Sequence, residues 1–132
     1  MQRFLDRFEY GNKDIAAGID KFWLSSSLEI SANEQIPFLS KLYLDELPVD
    51  PRAMAVVRRI LVLESTPKSV LSGKTGSGIF EDGTRIGWFV GHIEIGGTAY
   101  VFATNLHRGK GDLTGARARA ISKSILRELG LR

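Results

Sequence analysis

The sequence predicts an α+β fold in which helices come first, three antiparallel strands follow, and one helix closes the chain. Three observations carry this expectation. Apolar residues recur at helical spacing in two stretches before residue 66, and each stretch opens on a capping residue. From Val70 to Leu106 three apolar runs are separated by the turn signals Glu81-Asp82-Gly83-Thr84 and Gly96-Gly97. After Thr114 the helical period returns and runs to a stop at Gly130.

In order, residues 1 to about 9 read as a short helix with Phe4, Leu5 and Phe8 on one face and Arg3, Asp6, Arg7 and Glu9 on the other. Tyr10-Gly11-Asn12 follows as a turn, and Ile15 to Ile19 is a weak helical piece ending near Gly18. Phe22-Trp23-Leu24 is a bulky cluster that must be buried, either as a core plug or with the Trp23 indole N–H holding a polar group in an apolar pocket. Ser31 with Glu34 forms a capping box for a helix through Ile36, Leu39, Leu42 and Tyr43 to about Leu44. Pro37 inside it costs about 3 kcal/mol, so a distorted first turn is expected. Asp50 caps a second helix with Pro51 at its first position, through Met54, Val57 and Ile60 to about Leu63.

The strands are Val70 to Ser77, Arg85 to Ile95 and Thr98 to Leu106. In the second, Ile86, Trp88 and Val90 alternate with Phe89, Ile93 and Ile95; in the third, Val101 and Ala103 oppose Tyr100, Phe102 and Leu106. Both faces are apolar, so helices must cover the sheet on both sides. His107 to Thr114 is a loop rich in glycine and charge, and the last helix presents Ile121, Ile125 and Leu129 as one stripe. A chain of 132 residues is one domain, with a helical part over 1–66 and the sheet with its closing helix over 67–132.

The formal charge of +3 comes from 18 basic and 15 acidic residues, with the excess gathered near the C-terminus and no aromatic residues interleaved, which argues against nucleic-acid binding. The absence of cysteine excludes disulfides and thiol catalysis. His92 and His107 have no partner histidine at ligand spacing, so no metal site is expected. No run of 18 apolar residues gives a membrane segment, and the first residues are amphipathic rather than a signal peptide.

Lys74-Thr75-Gly76 is the chemically pointed stretch. A cation, a hydroxyl and bare backbone in a row suit a carboxylate or a developing oxyanion, although a plain hairpin accounts for the tripeptide as well.

Four motifs in order carry a resemblance: Tyr10-Gly11-Asn12, Phe22-Trp23-Leu24, Lys74-Thr75-Gly76 and Gly87-Trp88-Phe89-Val90-Gly91. The intervening Ile30-Ser31-Ala32, Glu34-Gln35, Phe102-Ala103 and Asn105 fit the same pattern. From Tyr10 to about Leu106 the chain resembles the C-terminal half of the class D (oxacillinase) serine β-lactamases, within the penicillin-binding transpeptidase-like superfamily. That resemblance implies roles for particular residues. Lys74 lines the site and helps orient the β-lactam carboxylate, Thr75 hydrogen-bonds it, and the backbone N–H of Ser77, just past Gly76, forms half of the oxyanion hole. Trp23 supports a carbamylated lysine that acts as general base, with Leu24 packed beside it; that CO2-derived lysine lies outside this chain, and no other cofactor is implied. Tyr10, Gly11 and Asn12 form a mainly structural motif at the cleft's edge. Arg117 or Arg119, early in the last helix, binds the substrate carboxylate; Arg117 is favoured, and each is slightly out of register.

The departure from the family is that no serine precedes Tyr10, so its Ser-x-x-Lys nucleophile motif is not found there. The expectation is a chain that lacks nucleophile and general base and is inactive alone, whether as a truncated portion of a β-lactamase or as an inactive remnant. The alternative is a penicillin-binding sensor-type domain that is acylated and hydrolyses slowly. The implied partner is a β-lactam antibiotic of the penicillin or oxacillin kind, the implied role antibiotic resistance, and the implied location of the full-length protein periplasmic. The third strand is expected as a long apolar edge that invites self-association.

Overall fold

The computed structural model describes residues 1–24, 27–107 and 112–132. Its order is α1 (Gln2–Phe8), α2 (Ala32–Tyr43), α3 (Pro51–Leu61), β1 (Val62–Ser65), β2 (Ser69–Ile79), β3 (Arg85–Ile95), β4 (Thr98–His107) and α4 (Gly115–Glu128). The strands form one antiparallel sheet in sequential order. The α+β class therefore stands, with four strands rather than three. The sequence pattern carries the second helix to about Leu63, because Leu61-Val62-Leu63 continues that helix's apolar run. Instead the chain turns extended at Val62 and pairs with β2 through an irregularity between Val62 and Glu64, so the sheet begins at Val62.

α1 stops at Glu9, which takes the left-handed conformation (φ 53°) two residues before Gly11. The expected helical piece at 15–19 is a series of turns; Asp14 accepts from the Ala16 N–H, Gly18 sits at φ 102°, and too few residues remain to nucleate a helix. The Ser31–Glu34 capping box is present in both directions, and α2 runs unbroken through Pro37. Asp50 and Pro51 open α3 as expected, with the Asp50 carboxylate accepting from the Arg52 N–H. Gly96 and Gly97, at φ 58° and 79°, make the two-residue hairpin between β3 and β4.

The sheet is covered on both faces. α4 packs on one face, where Leu71, Ile93 and Leu126 form a buried cluster backed by Phe102. α2 packs on the other, and Leu42, Leu47 and Met54 join it to α3. The stripe α4 turns inward is Gly115, Ala118, Ser122 and Leu126, whereas Ile125 and Leu129 are exposed. The expectation of an Ile121–Ile125–Leu129 stripe is corrected. Small residues let the helix approach the strands closely, and the Ser122 hydroxyl lies 2.6 Å from that of Thr104.

Candidate active site

β1 pairs with β2 only as far as Ser72, so from Gly73 onward the outer edge of β2 has no strand partner among the described residues. Alternate N–H and C=O groups of a strand point to such an edge, which suits an extended polar ligand. Lys74-Thr75-Gly76-Ser77 occupies this free stretch.

Alternation divides its side chains. Thr75 and Ser77 face α4, whose N-terminus sits directly against them: the Gly115 N–H donates to the Ser77 hydroxyl over 2.9 Å. A β-carbon on Gly115 would lie 2.9 Å from Thr75 Cβ and 2.6 Å from the Gly76 carbonyl oxygen, and one on Gly87 would overlap the Thr114 backbone. Glycine at these two positions lets helix and strands touch backbone to backbone. Lys74 projects from the opposite face and curls back, its Nζ donating to the Thr75 carbonyl at 2.6 Å, with the head exposed. Trp88, the register partner of Gly76, shares that face.

Phe22-Trp23-Leu24 splits. Phe22 is 4% exposed and meets the Trp23 ring edge-on at 4.8 Å, whereas Trp23 and Leu24 are 52% and 62% exposed. The core-plug expectation holds for Phe22 alone. The exposed pair line a cleft of about 390 Å³ together with Ser77, Gly78, Ile79, Arg85, Leu113 and Thr114. The fold thus brings Trp23 and Leu24 to the strand that carries Lys74 and Thr75. Arg85 and Leu113 were not anticipated, because their place follows from the β2–β3 hairpin and the approach to α4 rather than from any local pattern.

The first two turns of α4 carry both candidate arginines. Thr114 caps it by accepting from the Arg117 N–H at 3.2 Å. Arg117 is exposed, one position before the inward-facing Ala118. Arg119 turns toward the β1 side of the sheet, where it lies 3.8 Å from Glu64. Glu64 also accepts from Lys123 at 2.5 Å and from Arg132, and these bonds hold its carboxyl below the usual glutamate range.

Tyr10, Gly11 and Asn12 form a clamp. The Asn12 backbone and side-chain oxygen exchange bonds with Glu29 at 2.9 and 3.0 Å, and its amide donates to the Ser27 carbonyl at 2.8 Å. Tyr10 packs edge-on against Phe38 and accepts from Gln35 at 2.6 Å; burial raises its phenol, and the Gln35 bond partly offsets this. The single Ser-x-x-Lys spacing in the sequence, Ser65 to Lys68, lies in the exposed β1–β2 turn at the opposite end of β2 from Thr75. Among the described residues no group of three or more His, Cys, Asp or Glu is placed to hold a metal ion, and no helix is long and apolar enough to cross a membrane. Residues 108–111 of the loop before α4 lie outside the described residues.

The penicillin-binding-protein transpeptidase-domain family model matches residues 1–128. The chain is 44% identical over 131 residues to the probable β-lactamase YbxI of Bacillus subtilis, covering 99% of this chain and 46% of that protein. It is 37% identical over 131 residues to the methicillin resistance mecR1 protein of Staphylococcus aureus, covering 99% of this chain and 22% of that one. The structure superposes on FUS-1 (OXA-85), a class D β-lactamase from Fusobacterium nucleatum, with a TM-score of 0.90 and 36% identity over 99% of this chain and 54% of the other. The chain spans about half the length of the β-lactamase relatives it matches.

Proposed function

The chain belongs to the penicillin-binding-protein transpeptidase-domain family, in its class D β-lactamase-like branch, and from that premise we propose that it forms the substrate-gripping half of a site that hydrolyses β-lactams through an acyl-serine intermediate. The observation that carries this reading is the cleft in which Trp23 and Leu24 face Ser77, Gly78 and Thr114. Residues distant in sequence meet there beside an unpaired strand edge.

In this reading the β-lactam lies along the free edge of β2. Thr75 and Lys74 take its carboxylate, and the Ser77 N–H receives negative charge as the lactam carbonyl becomes tetrahedral. Lys74, Arg85 and the N-terminus of α4 make the environment positive, which suits an anionic substrate. Arg117, exposed in the first turn of α4, remains the favoured partner of the substrate carboxylate, since the Arg119 side chain is turned to Glu64 on β1. Trp23 would present its indole to the general base, a carbamylated lysine on polypeptide corresponding to the rest of the relatives' length. The attacking serine comes from the same polypeptide, since the chain's own Ser65 is remote from the cleft. The periplasmic location and the role in antibiotic resistance go with this reading.

Joining the N-terminal part of the Bacillus subtilis relative to this chain should give a soluble chimera that hydrolyses a chromogenic cephalosporin, while the isolated chain remains unlabelled by a fluorescent penicillin. A folded chimera without turnover or acylation would overturn the proposal, as would covalent labelling of the isolated chain. The match to mecR1 over 99% of the chain favours a second reading, a sensor-type domain. The same chimera separates the two: a stoichiometric burst without turnover supports the sensor, and sustained turnover supports the hydrolase.

A further inference from the structure

Tyr43, at the end of α2, and His92, on β3, meet across the seam between the helical layer and the sheet. Their rings lie 3.8 Å apart and within 7° of parallel. His92 is 8% exposed, and Ser72, its register partner on β2, is 3% exposed. The Tyr43 hydroxyl is buried beside the Ser72 side chain; burial raises the phenol, and the contact with Ser72 partly offsets this. The stacked rings are the largest contact across this part of the seam.

The groups around His92 leave an added proton poorly answered. Glu94, two residues along the same face of β3, acts on the ring through space. β2 contributes Ser72 and, two residues on, the Lys74 cation. α3 sends Arg58, which acts on Tyr43 and is tied to the Leu42 carbonyl at 2.8 Å and to Asp45 at 2.7 Å. β4 places the uncharged Val101 opposite His92. A charged imidazole needs hydration, and the Tyr43 ring stacked on it keeps water from one face.

We propose that the Tyr43–His92 stack is an acid-released latch between α2 and the sheet, closed on the neutral imidazole and opened when the ring takes up a proton. Burial lowers the affinity of His92 for a proton, and Glu94 only partly opposes this. The unfolded chain, whose histidine titrates near about 6.5, then binds the proton more readily than the folded one. The latch's contribution is complete above that pH and declines as pH falls through it. α2 also carries Gln35, which holds Tyr10, so release loosens the Tyr10–Asn12 clamp as well.

The chain has two histidines, which makes the test direct. In a pH titration followed by NMR, the His92 ring should titrate below the ordinary histidine value of about 6.5. Amide exchange in α2, corrected for intrinsic rate, should accelerate relative to β2 and β3 as pH falls below about 6.5, by up to about tenfold per unit of separation. His92→Phe, which keeps a ring on Tyr43 and removes the proton, should abolish that acceleration. Tyr43→Leu should raise the His92 midpoint toward about 6.5, and it serves if His92→Phe does not fold. The latch is overturned if His92 titrates at or above about 6.5, if α2 protection is indifferent to pH, or if His92→Phe retains the acceleration.

Discussion

Asn12 spans two strands of irregular chain with one side chain. Its carboxamide oxygen accepts from the Asp14 and Glu29 N–H groups, and its amide donates to the Ser27 carbonyl. At roughly 1 kcal/mol per bond, Asn12→Ala should cost about 2–3 kcal/mol in urea unfolding. Gly11→Ala should cost about 2 kcal/mol or more, because the residue sits at φ 55° and a β-carbon would overlap the Glu29 carbonyl oxygen. Both losses should appear in the urea midpoint with the slope unchanged. The tripeptide was legible in the sequence as a motif, but its reason was not. The partners Ser27 and Glu29 lie in a stretch with no period of its own, so nothing local announces the clamp. The same holds for Trp23, whose neighbours Ser77 and Thr114 become visible only once the sheet is built.

At the scale of elements, α4 shows where hydrophobic pattern misleads. Its caps were readable: Thr114 opens it, and Gly130 follows its end at φ 70°. Its inward face was not, because close approach selects Gly115, Ala118 and Ser122 while Ile125 stays 47% exposed. Ala118→Leu should therefore destabilise by about 1–3 kcal/mol through overpacking, and Ile125→Ala should change thermal stability by less than about 0.5 kcal/mol. The reverse order would restore the stripe expected from the sequence. β1 was missed for a related reason, since its apolar residues continue the α3 pattern and only pairing with β2 makes them a strand. Glu64 on β1 then ties the sheet edge to α4 through Lys123, Arg132 and Arg119. Its carboxyl is held below the ordinary glutamate range, so the folded state binds that proton less readily than the unfolded one. The tie is complete above the unfolded value, near about 4.3, and is lost as pH falls below it. Glu64→Gln should lower the melting temperature at pH 7, and the gap from the parent chain should narrow toward pH 3 and in high salt.

Across the whole molecule, the fold class and the order of motifs were legible because each follows from local spacing. Which surfaces remain open was readable for β4 alone. That ten-residue strand has no partner on its outer side among the described residues, and Tyr100 on it is 42% exposed. Trp23 and Leu24 add apolar surface at the cleft mouth. A free strand edge and apolar patches favour association with whatever completes them. We expect the isolated chain to show concentration-dependent self-association by sedimentation velocity. Tyr100→Lys, which places a charge on the exposed edge strand, should shift that equilibrium toward monomer without lowering the urea midpoint by more than about 0.5 kcal/mol equivalent. Resemblance to the class D enzymes implies that strands from their N-terminal part lie beside this same edge. One edge cannot serve two partners, so joining the N-terminal part of the Bacillus subtilis relative should suppress self-association as it supplies the nucleophile. If the chimera turns over a β-lactam and still associates as strongly as the isolated chain, β4 is not the contact, and the apolar cleft mouth around Trp23 becomes the surface to alter next.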